Sequence, residues 1–136
     1  MMTVPRLARL LSIAAVAAAG AVGCGKSSTT GPSSTLTCST LPNATTFLIL
    51  NNAVCPKTMA VARGTRVTFI NNDNRAHEMN SDPHPEHTNC PELNQVGHLE
   101  SGQQRDSGNL NVARSCGFHD HINDSNNNLK GTITIQ

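Results

Sequence analysis

The sequence has 136 residues, with ten basic and nine acidic side chains and a formal net charge of +1, which is enough for one small domain. Its only aromatic residues are Phe47, Phe69 and Phe118. A nucleic-acid surface is therefore excluded, since it wants a basic stripe with stacking aromatics, and the core is left to Val, Ile and Leu. So short a chain buries only about two thirds of its unfolded surface, and a bound metal or disulfides would help it.

Residues 1–24 read as an export signal. Arg6 and Arg9 form the positive end, and Leu10 to Val22 is an apolar run, shorter than the ~20 residues of a membrane span and ending in small residues as a cleavage site does. Ala21-Val22-Gly23-Cys24 resembles a bacterial lipobox, in which Cys24 becomes the lipidated N-terminus. That places the protein in the cell envelope, anchored by lipid. Gly25, rather than Asp, follows the cysteine, which favours the outer membrane in a Gram-negative cell. Without Arg6 and Arg9 the chain carries eight basic and nine acidic side chains.

Residues 25–44 are expected to be a tether. Gly25 to Thr37 is Ser-, Thr- and Gly-rich, with no periodicity, and fits a flexible linker. Fully extended, it would reach ~40 Å at ~3.3 Å per residue.

The domain is expected over 45–136. Thr45 to Leu50 is a short β-prone run ended by Asn51-Asn52. Thr58 to Ala62 precedes the turn Arg63-Gly64, and Thr65 to Ile70 follows it, with Val67 and Phe69 on one side and Arg66 and Thr68 on the other. That is the two-residue repeat of a half-buried strand. Residues 81–94 read as loop, with Pro83, Pro85 and Pro91. Gln104 to Leu110 and Asn111 to Ser115 are weaker strands, and Gly131 to Gln136 alternates with Ile133 and Ile135 inward. No stretch offers an apolar helix face, and short strands at this spacing argue for an all-β sandwich.

The residues that carry chemistry gather in three places. Cys116-Gly117-Phe118-His119-Asp120-His121 puts one thiol and two imidazoles on a stretch read as a loop before the last strand. That is one way to deliver a thiolate and an imidazole to one metal ion. Upstream, His77 follows the turn Asn71-Asn72-Asp73-Asn74, with Met79 two residues on. Asp82-Pro83-His84-Pro85-Glu86-His87 is a second knot of ligand types. It fits a cap on a metal site or a separate ion site, and equally a solvated loop.

These patterns resemble the cupredoxins, the blue-copper family of plastocyanin and azurin, over roughly residues 45–136. Asn52-x-x-Cys55-Pro56 ahead of Val61-x-x-Gly64-x-x-Val67-x-Phe69-x-Asn71 matches the family's opening strands. The resemblance implies a two-sheet Greek-key β-sandwich or barrel with copper held by loops at one end. His77 matches the family's first ligand and Cys116 its thiolate. The second imidazole is either His119 or His121, and His119 has the plastocyanin spacing. Leu129 stands where the family has its axial Met, leaving copper three-coordinate or with a substitute such as Met79. The function implied is single-electron transfer to a redox partner protein in the envelope, with no catalysis and no small-molecule substrate.

Cysteine parity supports a rival reading. Setting Cys24 aside leaves Cys38, Cys55, Cys90 and Cys116, and exported proteins tend to pair their cysteines. The three possible pairings cannot be separated from sequence. If all four pair, Cys116 is no thiolate. His77, His119, His121 and His84 or His87 would then form an imidazole site for copper or zinc, suited to metal storage, delivery or sensing.

Overall fold

The computed structural model describes residues 35–136. The signal segment, Cys24 and most of the expected tether lie outside the described residues. Among the described residues nine strands follow one another: β1 (Thr46–Leu50), β2 (Ala53–Cys55), β3 (Thr58–Val61), β4 (Thr68–Asn71), β5 (His77–Ser81), β6 (Gly97–Leu99), β7 (Gln104–Asp106), β8 (Arg114–Asp120) and β9 (Gly131–Ile135). Single 3-10 turns at Leu93–Gln95 and Asn127–Leu129 are the only helical pieces among the described residues.

The strands form two mixed sheets, ordered β2-β1-β4-β7 and β3-β9-β8-β5-β6. The β1–β4 and β3–β9 pairs are parallel and the remaining pairs antiparallel. This is the expected all-β sandwich, with each sheet open rather than closed into a barrel. The alternation read from the sequence holds where it was cleanest. Val67 and Phe69 are buried in the first sheet's inner face, and Ile133 and Ile135 in the second's.

The centre of the core differs from the expectation of Val, Ile and Leu alone. Phe47 and Phe69 of the first sheet stack at 4.8 Å between ring centroids, and Phe118 of the second meets both edge-on at 4.9 and 5.1 Å. All three are essentially unexposed. Edge-to-face pairs exploit the positive rim and negative face of the rings and add about 0.5–1.5 kcal/mol to the burial itself. The chain thus places its three aromatic residues where the sheets meet. Around them pack Ile49, Val61, Leu99, Leu129 and Ile133, among others.

Two disulfides brace the sandwich. Cys38–Cys55 ties the segment before β1 to the end of β2, across 17 residues. Ordered, cross-linked chain therefore begins by Cys38, inside the stretch expected to be tether. Cys90–Cys116 ties the 82–92 loop to β8 across 26 residues.

Phe118→Ala removes the ring that joins the two sheets, and its neighbours cannot all close over the space. We expect a loss of about 3–5 kcal/mol, read from the shift in the urea unfolding midpoint.

Candidate metal centre

The site is set by the direction of alternate side chains on β8. Cys116 and Phe118 point into the core cluster, while Gly117 and His119 point to the opposite face, as a strand's two-residue repeat requires. On that outer face β8 pairs with β5 through Asn80↔His119 and Ser81↔Phe118. Beyond β8, the His121 N–H donates to Glu78 O at 2.7 Å, which carries the same face one step further.

The loop after β5 folds back over this face. Asp82 N–H donates to Gly117 O at 2.9 Å, His87 N–H to Pro83 O at 2.7 Å, and Asn89 N–H to Asp82 O at 2.9 Å. The Asn94 amide donates to His87 O at 2.8 Å, while its Oδ1 accepts the Ser81 N–H at 2.9 Å. Cys90–Cys116 adds the covalent anchor. His87 adopts a left-handed backbone, φ +54. Glycine would take that conformation more readily.

The result is a cluster of four imidazoles. His84 and His87 come from the loop, and His119 and His121 from β8 and its end. One ring nitrogen of each lies within 4.8 Å of the others. His121 Nδ1 and His87 Nε2 are 3.1 Å apart, within hydrogen-bond reach of each other. His119 is buried, with Nδ1–H donating to Asp82 Oδ1 at 2.7 Å and Nε2 left without a partner. A buried ring nitrogen without a partner is costly unless a ligand completes it. The carboxylate fixes the ring's tautomer and orientation, the usual arrangement behind a metal-binding histidine. Gly117 makes room for it, since a Cβ there would collide with Asp82 Oδ2. His84 Nε2 lies 3.8 Å from Asp124 Oδ2 at the surface, too far for a hydrogen bond. Burial first, then the neighbouring rings His119, His121 and His84, hold His87 below its ordinary value, towards the neutral form that binds metal.

The donor set expected from the sequence, His77 with Cys116 and His119 or His121, is not assembled. Cys116 is spent in the disulfide and faces away from His119. The stretch read as a loop is strand, so Cys116 and His119 stand three residues apart on opposite faces. His77 is buried at the start of β5 with both nitrogens engaged, Nδ1 to Asp120 Oδ2 at 2.8 Å and Nε2 to Asp73 Oδ2 at 3.2 Å. It therefore has no free nitrogen for an ion. Met79 lies in the apolar core, and Leu129 is also core. Instead the structure brings together His119 and His121 with the His84 and His87 of the proline-rich knot. The Asp82 carboxylate that orients His119 belongs to that knot, while Asp120, which serves His77 rather than the four, was not singled out in the sequence. A polar cleft lined by Asn51, Asn52, Asn72, Asp73, Asn74 and Arg75 includes none of the four histidines.

No family model and no curated protein matches the sequence. Among solved structures, plastocyanin from Dryopteris crassirhizoma superposes with a TM-score of 0.53 at 18% identity, covering 67% of this chain and 99% of that one. A purple cupredoxin from Nitrosopumilus maritimus gives 0.50 at 13% identity, covering 67% and 98%. An amicyanin gives 0.53 at 13% identity, covering 73% and 89%.

The chain has the cupredoxin fold. At these identities the likeness is one of backbone, so any ligand set rests on this chain's own side chains. Among the described residues of this cupredoxin scaffold they offer four imidazoles and no free thiol.

Two outcomes follow. Gly117→Ala forces Asp82 off His119 without touching a ligand, and metal affinity should fall about 10–100-fold in a chelator competition with the fold kept by circular dichroism. The second concerns the buried pair. Burial opposes the charged His77 ring, but hydrogen bonds and charge from Asp120 and Asp73 outweigh it and raise His77 above 6.5. Burial likewise opposes the Asp120 carboxylate, and the His77 and backbone N–H donors outweigh it and lower Asp120 below 3.8. The His77 contribution is full below 6.5 and lost as pH rises through its raised value. The Asp120 contribution is present above 3.8 and lost as pH falls through its lowered value. The metal-free melting temperature should therefore peak between those pH values, and Asp120→Asn should flatten both arms.

Proposed function

We propose that this cupredoxin-fold chain binds one copper ion through His84, His87, His119 and His121, as a metal-binding protein of the cell envelope. The observation that carries this reading is the buried, unpartnered Nε2 of His119, held by Asp82 among three further imidazoles. Imidazole suits both Cu(II) and Zn(II), and a given nitrogen site binds Cu(II) the more tightly of the two. Copper bound there supplies one-electron chemistry. Four nitrogen donors fill a four-coordinate ion, so we read a binder rather than an enzyme. Attachment through Cys24 would keep the site at the membrane surface.

A second reading, single-electron transfer to an envelope partner, is favoured by the position of the site. The His84 side chain is 37% exposed and His121 partly so, which gives an electron a short path through an imidazole edge.

The deciding experiment is a Cu(II) titration of the domain from Gly25 onward, followed by EPR and visible absorption. We expect one equivalent bound, nitrogen superhyperfine structure, and only weak absorption near ~600 nm, since no thiolate coordinates. The double variant His119→Ala/His121→Ala should abolish binding. An intense band near ~600 nm that disappears in Cys116→Ser would overturn the four-imidazole site in favour of a thiolate one.

A further inference from the structure

Asp120 stands between two of the four histidines on the chain, yet its side chain points to the other face of β8. There it is 1% exposed, and one of its two oxygens binds chain that frames His121. Its Oδ1 accepts the Glu78 N–H at 2.9 Å and the Ile122 N–H at 3.2 Å. The first pins β5 beside the site. The second closes the turn directly after His121, helped by Asn123 N–H to Asp120 O at 3.2 Å. His121 itself donates its N–H to Glu78 O. The turn after His121 and the β5 residue that pairs with it are thus held by one carboxylate.

That carboxylate is held in turn by His77. Nδ1 of His77 takes Asp120 Oδ2, leaving Oδ1 for the two amides. Asp73 fixes the far side of the ring through Nε2 and accepts the Asn52 N–H at 2.7 Å, which roots the chain of contacts in the β1–β2 turn. A carboxylate buried to this extent is stable only when paired and fully hydrogen-bonded, so His77 cannot be lost without the carboxylate rearranging.

Resting on the metal reading above, we propose that His77 is a positioning residue for the four-imidazole site, acting through Asp120 on the backbone that presents His121. The role differs from mere filling of the core because it predicts a change in the ion's surroundings. Without the imidazole, Asp120 turns away from the Glu78 and Ile122 amides, and the ring of His121 moves relative to His87, His84 and His119.

The test measures metal affinity by chelator competition with Zn(II), and ligand geometry by EPR with Cu(II), on the oxidised domain. His77→Phe should weaken binding about tenfold, the lower end of what outer-shell changes cost, and should shift the copper hyperfine splitting. His77→Gln, which keeps one donor toward Asp120, should restore most of both. Should His77→Phe not fold, Asp120→Ala frees the same two amides and should give the same spectral change. Asp120→Asn, which retains an acceptor for them, should bring the wild-type spectrum back. If the variants that break the contact lose only thermal stability, with affinity and spectrum as in wild type, the positioning role is overturned and the metal centre stands. If the wild-type chain itself takes up neither ion, the metal centre is refuted and the positioning role falls with it.

Discussion

In an extended strand successive side chains point to opposite faces, and along β8 and the residue after it this separates Cys116, Phe118 and Asp120 from Gly117, His119 and His121. The inner set closes the core: Phe118 joins the aromatic trio and Cys116 forms its disulfide. Asp120 takes His77. The outer set builds the site, with His119 and His121 as donors and Gly117 as the gap that admits Asp82. A register shift by one residue would exchange the two sets, exposing Phe118 and driving two imidazoles into an apolar core. The burial of Phe118 against Phe47 and Phe69 is therefore what fixes the histidines outward.

The other half of the site is a loop, and a loop gives a poorly defined ligand geometry unless it is held at several points. Here the hydrogen bonds from Asp82, His87, Asn89 and Asn94 and the Cys90–Cys116 bond restrain the segment between β5 and the 3-10 turn at Leu93–Gln95. Ordering costs about 1–2 kcal/mol per residue of backbone. Because folding has already met that cost, little of it falls on metal binding.

Much of the fold could be read in the chain because it depends on local pattern. The repeats at Val67–Phe69 and Ile133–Ile135, and the turn residues at Asn51-Asn52 and Arg63-Gly64, act over a few positions. The site depended on two facts that are not local. Cys116-Gly117-Phe118-His119 carries glycine and mixed polarity, and nothing within it says that its outer face would be covered by a loop from residues 82–92. It therefore reads as loop, although the pairing with β5 and β9 makes it strand. The partner of Cys116 was likewise beyond reach, since four cysteines allow three pairings. Parity pointed the right way, while the spacing of Cys116 before the last strand pointed to a thiolate. The Asp82–His87 knot was visible as ligand chemistry, but its meeting with His119 and His121 comes from tertiary folding.

The choice between a disulfide and a thiolate at Cys116 decides more than colour. A thiolate is a soft donor that stabilises Cu(I), whereas imidazoles suit Cu(II) at least as well. With copper in it, a four-imidazole site on this scaffold would hold Cu(II) more firmly relative to Cu(I) than a thiolate site would, in keeping with the proposed role of binding copper. Electron exchange then depends on how little the ligands move between the two valences. His119 and His121 are fixed by β8, by Asp82 and by the Asp120–His77 pair, while His84 and His87 sit on the braced loop. The exposed His84 is the donor with most freedom to follow a change in valence. In the proposed centre its freedom, set against the restraint of the other three, would determine whether a bound ion is merely held or can also pass an electron.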